Sequence, residues 1–172
     1  MTTRHIVADT VLGELTLVAG GGAMTGVYFR HHARRPAEAA FGERVAADPL
    51  LDEAARQIRA YLAGERRGFD LPLATAGDAV QEAVWAALRE LPYGTTTTYG
   101  ALAERLGFVT SAWGVGQAVG ANPLCVLIPC HRVVGSNGTL TGYAGGLRRK
   151  RVLLDIEAAA DGEPWLPGMG AA

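Results

Sequence analysis

The sequence predicts a mixed α/β (α+β) fold in which a small sheet comes first and a mostly helical region follows. Two observations support this fold class. Short runs typical of β-strands alternate with glycines at the start of the chain, whereas apolar residues recur at helical spacing from residue 51 onward. With 172 residues, 49% of them hydrophobic and 19% charged, the chain is long enough for one full core or two small ones.

The first region is expected to be an antiparallel meander with one helix. Strands are predicted over 6–8, 14–19 and 26–29, a helix over 52–63, and a further strand over 69–73. A linker of small residues at 74–77 marks the most natural boundary. We therefore expect a first domain at 1–76, a second at 77–160, and a loosely ordered tail at 161–172.

The second region contains a pattern typical of a helix-turn-helix. After a helix over 78–91, a short helix over 99–106 follows Thr98, which suits its N-cap, and another starts at Thr110 or Ser111. Any two packed helices can show this pattern. However, the helix that starts at Thr110 or Ser111 is rich in glycine, and each helical glycine costs ~1 kcal/mol relative to alanine. Close approach of another surface, such as a DNA groove, would explain that cost.

The end of the chain is predicted to hold a turn, a loop and a final helix. A turn at 135–139 would join strands at 133–134 and 140–141, and a glycine-rich loop precedes a helix over 147–157. Four cations at 148–151 occupy the first turns of that helix, where positive charge opposes the helix dipole. The cluster is therefore either a phosphate-facing patch or a solvated face.

The composition excludes several classes of protein. The formal net charge is −1, so any DNA binding should use a local patch and a short footprint. No apolar run approaches the ~20 residues that span a bilayer, and the N-terminus lacks a signal-peptide core, so we expect a cytoplasmic protein without membrane contact. The two cysteines, Cys125 and Cys130, fit no disulfide framework, and the four histidines lack metal-ligand spacing. We expect neither a metal site nor a cofactor.

A cysteine followed by a histidine, Cys130-His131, lies in an apolar run after Pro129. A thiol is a useful nucleophile only as its thiolate, which an adjacent base can provide. Neighbouring residues do not face each other on a regular strand or helix, so His131 would reach the sulfur through an irregular turn or a bridging water. The residues alone leave two interpretations, a catalytic pair or a structural cysteine beside a surface histidine.

Further motifs accompany this pair. In chain order they are Tyr99 in the helix-turn-helix, Asn122-Pro123, IPCHRV at 128–133, GYAGGL at 142–147, and Glu157. This set resembles the O6-alkylguanine-DNA alkyltransferases, which repair DNA by direct reversal, and the resemblance covers nearly the whole chain. It implies a ribonuclease H-like α/β domain followed by a mostly helical, winged helix-turn-helix domain that binds DNA and carries the active site.

The resemblance also implies catalytic roles. Cys130 is expected to accept the alkyl group irreversibly, once per molecule, from O6-alkylguanine, with O4-alkylthymine as a second candidate substrate. His131 would draw the thiol proton through a water, and Glu157 would orient His131. Asn122 matches the residue that braces the turn between the recognition helix and the active-site segment.

The substrate contacts follow from the same resemblance. Tyr143 is expected to donate to N3 of the flipped guanine, and the Ala144 amide to its O6 atom. The carbonyls of Cys130 and Val133 would accept from the exocyclic amine. Tyr99 matches a tyrosine that crowds the target phosphate and promotes rotation of the nucleotide, although it could also be an aromatic residue packed under the helix.

The expected partner is double-stranded DNA containing O6-alkylguanine, bound through its minor groove by a protein that is monomeric when free. The residues expected to contact DNA are Ser111, Ala112, Trp113, Gly114, Gly116 and Arg132. Trp113 departs from the family, which has an arginine that enters the base stack at this position. We hypothesise that Trp113 is an intercalating wedge instead.

Cys125 is a second departure, because the family often has proline there. It is either a small buried filler, or a residue that alters the pocket width or offers a second thiol. Two other functions compete with repair. The family's non-catalytic lesion-binding branch lacks the acceptor cysteine, so Cys130 argues against that function, whereas Trp113 keeps it open. A transcriptional regulator would need a further domain.

Overall fold

The computed structural model describes residues 2–160, so the expectation for the tail at 161–172 lies outside the described residues. The first region is a four-stranded sheet. Its strands are β1 (Thr3–Thr10), β2 (Gly13–Gly20), β3 (Ala23–Phe29) and β4 (Glu43–Arg44). The strand order is β3-β2-β1-β4, with the first three strands antiparallel and β4 parallel to β1. The predicted meander is confirmed, but the two residues of β4 are too few to show a strand pattern in the sequence.

One helix, α1 (Pro49–Leu62), packs against this sheet. The Asp48 carboxylate caps it by accepting from the amides of Leu50 and Leu51, and proline occupies the first turn, where its missing N–H costs nothing. The apolar face of α1 includes the buried Ile58 and Tyr61. The helix predicted over 52–63 is therefore present and begins three residues earlier.

The strand predicted over 69–73 is wrong. Only an isolated bridge joins Leu73 to Met24, where the Met24 amide donates to the Pro72 carbonyl. Proline has no N–H to continue a ladder, so the pairing cannot extend through this segment.

Four helices and two very short strands form the second region. They are α2 (Ala79–Arg89), β5 (Thr97–Thr98), α3 (Tyr99–Arg105), α4 (Ala112–Gly120), β6 (Val133–Val134) and α5 (Leu147–Ala159). Helices α3 and α4 pack together as the predicted helix pair. The Thr98 hydroxyl accepts from the Ala101 amide, and the Ser111 hydroxyl accepts from the Gly114 amide, so side-chain caps begin both helices.

The predicted pairing of 133–134 with 140–141 is also wrong. Strand β6 pairs in parallel with β5 instead. The Gly135 amide donates to the Thr139 carbonyl and closes the turn locally, while the Thr141 carbonyl accepts from the Lys150 ammonium. The backbone groups that a hairpin would need are therefore used elsewhere.

The two regions share one hydrophobic core. The Val27 amide of β3 donates to the Pro123 carbonyl at 2.8 Å, and Val27 bridges to Leu124. The outer edge of the sheet thereby supports the segment that leads to Cys130. Within residues 2–160, no helix has the length and apolar character required to cross a bilayer.

Candidate active site

A tight turn delivers Cys130 to the interior. The Asn122 side chain holds this turn by donating to the Ile128 carbonyl at 3.0 Å and accepting from the Leu124 amide at 2.9 Å. Val126, within the turn, has a φ of +73°, which costs a β-branched residue roughly 1–2 kcal/mol. The buried amide of Asn122 thus stabilises a backbone shape that local preference disfavours, directly before the cysteine.

Cys130 and His131 lie together in a short 3₁₀ turn, Cys130–Arg132, and both are buried. His131 Nε2 is 2.6 Å from Glu157 Oε2. An ionised carboxylate can only accept, so Nε2 carries the proton and donates it. Nδ1 then has a free lone pair, and it is a buried atom without a hydrogen-bond partner among the described residues. Burial lowers the pKa of His131, which keeps the ring neutral and able to act as a base.

The Glu157 carboxylate is held by several donors. Arg132 donates from Nε to Oε1 at 2.7 Å and from Nη2 to Oε2 at 3.0 Å, and the Gly94 amide donates to Oε1 at 3.0 Å. Burial opposes ionisation, but the hydrogen bonds from His131 and Arg132 outweigh it and hold the pKa of Glu157 well below its usual range. Glu157 is therefore a fixed negative charge behind the imidazole.

The structure corrects the prediction that Arg132 lies on the surface that contacts DNA. The residue is only 7% exposed, and besides Glu157 its side chain donates from Nη1 to the Leu91 carbonyl at 2.7 Å. The guanidinium also lies 5.6 Å from the centre of the Tyr93 ring. Arg132 faces inward because a buried carboxylate needs a cation beside it.

Sequence reasoning missed Tyr61, which reaches the site from α1 in the first region. Its hydroxyl donates to Glu157 Oε2 and lies 3.2 Å from His131 Nε2. In the sequence Tyr61 is one apolar position among several on an amphipathic helix. Its position in that pattern does not separate it from ordinary core aromatics, because Glu157 is 96 positions away in the sequence.

A cavity of about 240 Å³ lies between α3, α4 and the loop before α5, and its wall includes Tyr99, Gly116, Gly142, Tyr143 and Ala144. The structure thus brings together three of the predicted substrate contacts, Tyr99, Tyr143 and Ala144. The Tyr143 hydroxyl is buried without a hydrogen bond of normal geometry among the described residues. Burial raises the pKa of Tyr143, so the group remains a neutral donor.

The loop that carries Tyr143 is anchored by a buried cation, Lys150. Its ammonium donates to the carbonyls of Val133, Thr141 and Gly142 at 2.6, 2.7 and 3.3 Å. Burial lowers the pKa of Lys150 to about 8. One lone pair of the Val133 carbonyl, a predicted substrate contact, is therefore already in use.

A phosphate-facing role for the cations at 148–151 is wrong for two of the four. Lys150 is fully buried, and Arg149 donates to the carbonyls of Leu12 and Gly145 at 2.9 and 3.0 Å. The Arg149 guanidinium also lies 4.6 Å from the centre of the Phe29 ring. These two cations join α5 to the loop and to the sheet, which is the local benefit that the sequence does not reveal.

The start of α4 lies on the surface, as the helix-turn-helix prediction requires. Trp113 is 74% exposed, and Ser111 and Ala112 are also exposed. An added Cβ at Gly114 would lie 1.8 Å from the Thr110 hydroxyl, so internal packing requires that glycine. At Gly116 an added Cβ would meet only the Tyr99 ring, at an ordinary contact distance of 3.7 Å. Packing among residues 2–160 therefore does not explain the cost of a glycine at position 116.

Family comparisons cover both regions. The model of the 6-O-methylguanine DNA methyltransferase ribonuclease-like domain matches residues 3–75, and that of the DNA binding domain of the same family matches 79–159. A methylated-DNA–protein-cysteine methyltransferase of Methanosarcina acetivorans is 50% identical over 112 residues, which cover 65% of this chain and 72% of the relative. One from Mycobacterium tuberculosis is 40% identical over 150 residues, covering 87% and 88%.

Solved structures show the same similarity. The crystal structure of Mycobacterium tuberculosis OGT in complex with DNA matches with a TM-score of 0.81 and 39% identity, covering 91% of this chain and 94% of that one. The fold class predicted from the sequence, a ribonuclease-like domain followed by a mostly helical DNA-binding domain, is confirmed.

Proposed function

Because the chain belongs to the 6-O-methylguanine DNA methyltransferase family, we propose that it repairs DNA by transferring an alkyl group from guanine O6 to its own Cys130. The observation that carries this proposal is the buried set of Cys130, His131 and Glu157, in which His131 Nδ1 has a free lone pair. The set combines a nucleophile, a base and a group that orients the base.

The chemistry follows from these roles. The Cys130 thiol loses its proton to His131 Nδ1 through a water, and the thiolate attacks the alkyl carbon. A C–S bond forms as the C–O bond breaks, and its electrons remain on guanine, which leaves as an anion. Glu157 stabilises the imidazolium that forms. Since a thioether is not hydrolysed under cellular conditions, each protein molecule acts once.

The cavity lined by Tyr99, Tyr143 and Ala144 is proposed to hold the extruded base. The neutral Tyr143 hydroxyl donates to N3, and the Ala144 amide donates to O6, so both stabilise charge that appears only as the bond breaks. The carbonyls of Cys130 and Val133 accept from the exocyclic amine. Extrusion itself costs a few kcal/mol, and crowding of the target phosphate by Tyr99 promotes it.

Helix α4 is proposed to enter the minor groove of double-stranded DNA. Gly116 leaves room for close approach, and the exposed Trp113 ring stacks where the extruded base was. Such contacts read no particular sequence, as repair requires.

One free monomer carries every residue of the site. We place the division between the two domains between residues 76 and 77. A reduced acceptor thiol favours the cytoplasm.

The test is a measurement of intact mass after incubation with a duplex containing O6-methylguanine, with Cys130→Ser as the control. We expect the protein to gain one methyl group and the variant to gain none. An unchanged mass for the wild-type protein contradicts alkyl transfer. If the unchanged protein still prefers the lesion over ordinary duplex, it is a lesion-binding protein instead.

A further inference from the structure

The chain's two cysteines are in contact beside the reacting atom. Cys125 Sγ and Cys130 Sγ are 4.0 Å apart, and both residues are buried. The tight turn creates this contact, because the Ile128 amide donates to the Leu124 carbonyl at 2.8 Å and a bridge joins Cys125 to Ile128. The five-residue spacing in the sequence therefore becomes direct contact in the fold.

A histidine from the first region contacts the other side of Cys125. His32 Nε2 is 3.9 Å from Cys125 Sγ, while His32 Nδ1 accepts from the Phe29 amide at 3.4 Å. Burial is the largest of the causes that lower the pKa of His32 to about 4, so the ring is neutral. With Nδ1 accepting, Nε2 carries the proton and points it at Cys125. Cys125 thus accepts from His32 and can direct its own S–H at Cys130.

We propose that Cys125 is a second functional thiol, which donates its S–H to the Cys130 thiolate and so stabilises the nucleophilic form of Cys130. This role rests on the proposed alkyl transfer. Cys125 keeps its proton throughout the reaction, while the proton of Cys130 leaves towards His131. Once Cys130 has become a thioether, its sulfur is a weaker acceptor and the interaction with Cys125 weakens.

The ionisation of the two thiols supports this direction. The hydrogen bond from Cys125 is the largest factor that lowers the pKa of Cys130, and the same contact raises the pKa of Cys125. The first proton therefore leaves more easily than from an isolated buried thiol, and the second leaves with more difficulty. The unbranched Cys125 side chain does more here than fill space in the wall.

Other groups also face these sulfurs. The Asn122 amide group and the positive charge of Lys150 also lower the pKa of Cys130. His131 follows Cys130 in the chain, and the hydroxyls of Tyr99 and Tyr143 lie nearby. The Tyr28 hydroxyl lies near Cys125. A substitution at residue 125 retains all of these groups, so the ionisation of Cys130 then reports the loss of the Cys125 side chain.

The experiment is a pH titration of thiolate absorbance at 240 nm in the full-length protein. Because the chain has only two cysteines, Cys125→Ala leaves Cys130 as the sole thiol and Cys130→Ser leaves Cys125. We expect the ionisation of Cys130 in Cys125→Ala to move up by about one pH unit relative to the first ionisation of the wild-type protein. Cys125→Ser retains a hydrogen-bond donor, so its titration midpoint should lie between those of the wild-type protein and Cys125→Ala. The serine variant replaces the alanine variant in the test if the latter does not fold.

The rate of single-turnover transfer from an O6-methylguanine duplex, measured against pH, is the second readout. We expect the rate of Cys125→Ala at pH 7 to fall about tenfold and to recover as the pH rises. Equal titration midpoints in the wild-type protein and Cys125→Ala overturn the inference. If the midpoints shift but no form of the protein accepts a methyl group, the thiol contact stands and the proposed repair function fails.

Discussion

Gly116→Ala should make the protein more stable and a poorer repair protein. The added Cβ would meet only the Tyr99 ring, at 3.7 and 3.8 Å, so the fold accepts it without strain. Replacing a glycine inside a helix by alanine stabilises it by roughly 0.5–1 kcal/mol. For a chain of this size, that corresponds to a rise in the melting temperature of about 2–4 °C at most.

The cost should appear on DNA. If α4 lies against the minor groove, the extra methyl group overpacks that contact, and overpacking of a close-fitting surface costs about 1–3 kcal/mol. Binding to duplex DNA should therefore weaken by about 5- to 150-fold. Thermal unfolding and a titration with fluorescent duplex DNA measure the two effects separately.

The matched control is Gly114→Ala, two residues earlier on the same helix. Its Cβ would lie 1.8 Å from the Thr110 hydroxyl, so this variant should lose stability where Gly116→Ala gains it. Unaltered DNA affinity in Gly116→Ala would refute the close approach of α4 to DNA. A lower melting temperature in Gly116→Ala would refute the claim that Gly116 has no role inside the fold.

Four further outcomes are expected. Tyr61→Phe removes one hydrogen bond from Glu157, so the transfer rate should fall by up to about tenfold and the free energy of unfolding by about 1 kcal/mol. A shift in the pH dependence of the transfer rate would show that His131 is affected. Lys150→Met leaves three carbonyls without their donor, and we expect a loss of roughly 2–3 kcal/mol in urea unfolding, together with slower transfer. Trp113→Arg should change DNA affinity and repair rate in gel-shift and single-turnover assays, and two unchanged values would contradict the wedge. The pKa of Glu157 is lower in the folded state than in the unfolded state. Its contribution to the free energy of unfolding is therefore complete above the usual carboxyl pKa of about 4 and is lost as the pH falls below that value. A urea midpoint that does not change between pH 6 and pH 3 would contradict this expectation.

Local patterns predicted much of the fold because their physical causes are local. The helix pair was predicted to within a residue or two, since Thr98 and Ser111 cap their helices with their own hydroxyls. The early strands were predicted by alternation and glycines. Short pairings were not: β4 and the β5–β6 pair each join two-residue segments that are far apart in the sequence. The strand at 69–73 failed because a proline removed a donor from the ladder.

For the site, the sequence by itself predicted the reagents Cys130, His131 and Glu157, and its motifs indicated the family to which the chain belongs. Side-chain type and motif spacing carry that information. Only the tertiary structure decided which groups surround the reagents. In the folded chain Arg132 faces inward and neutralises Glu157, and Lys150 holds the loop that carries Tyr143. Tyr61 lies beside His131 and Glu157, and Cys125 lies beside Cys130. These contacts join residues up to 96 positions apart, and burial alone forces their charges and protons to pair.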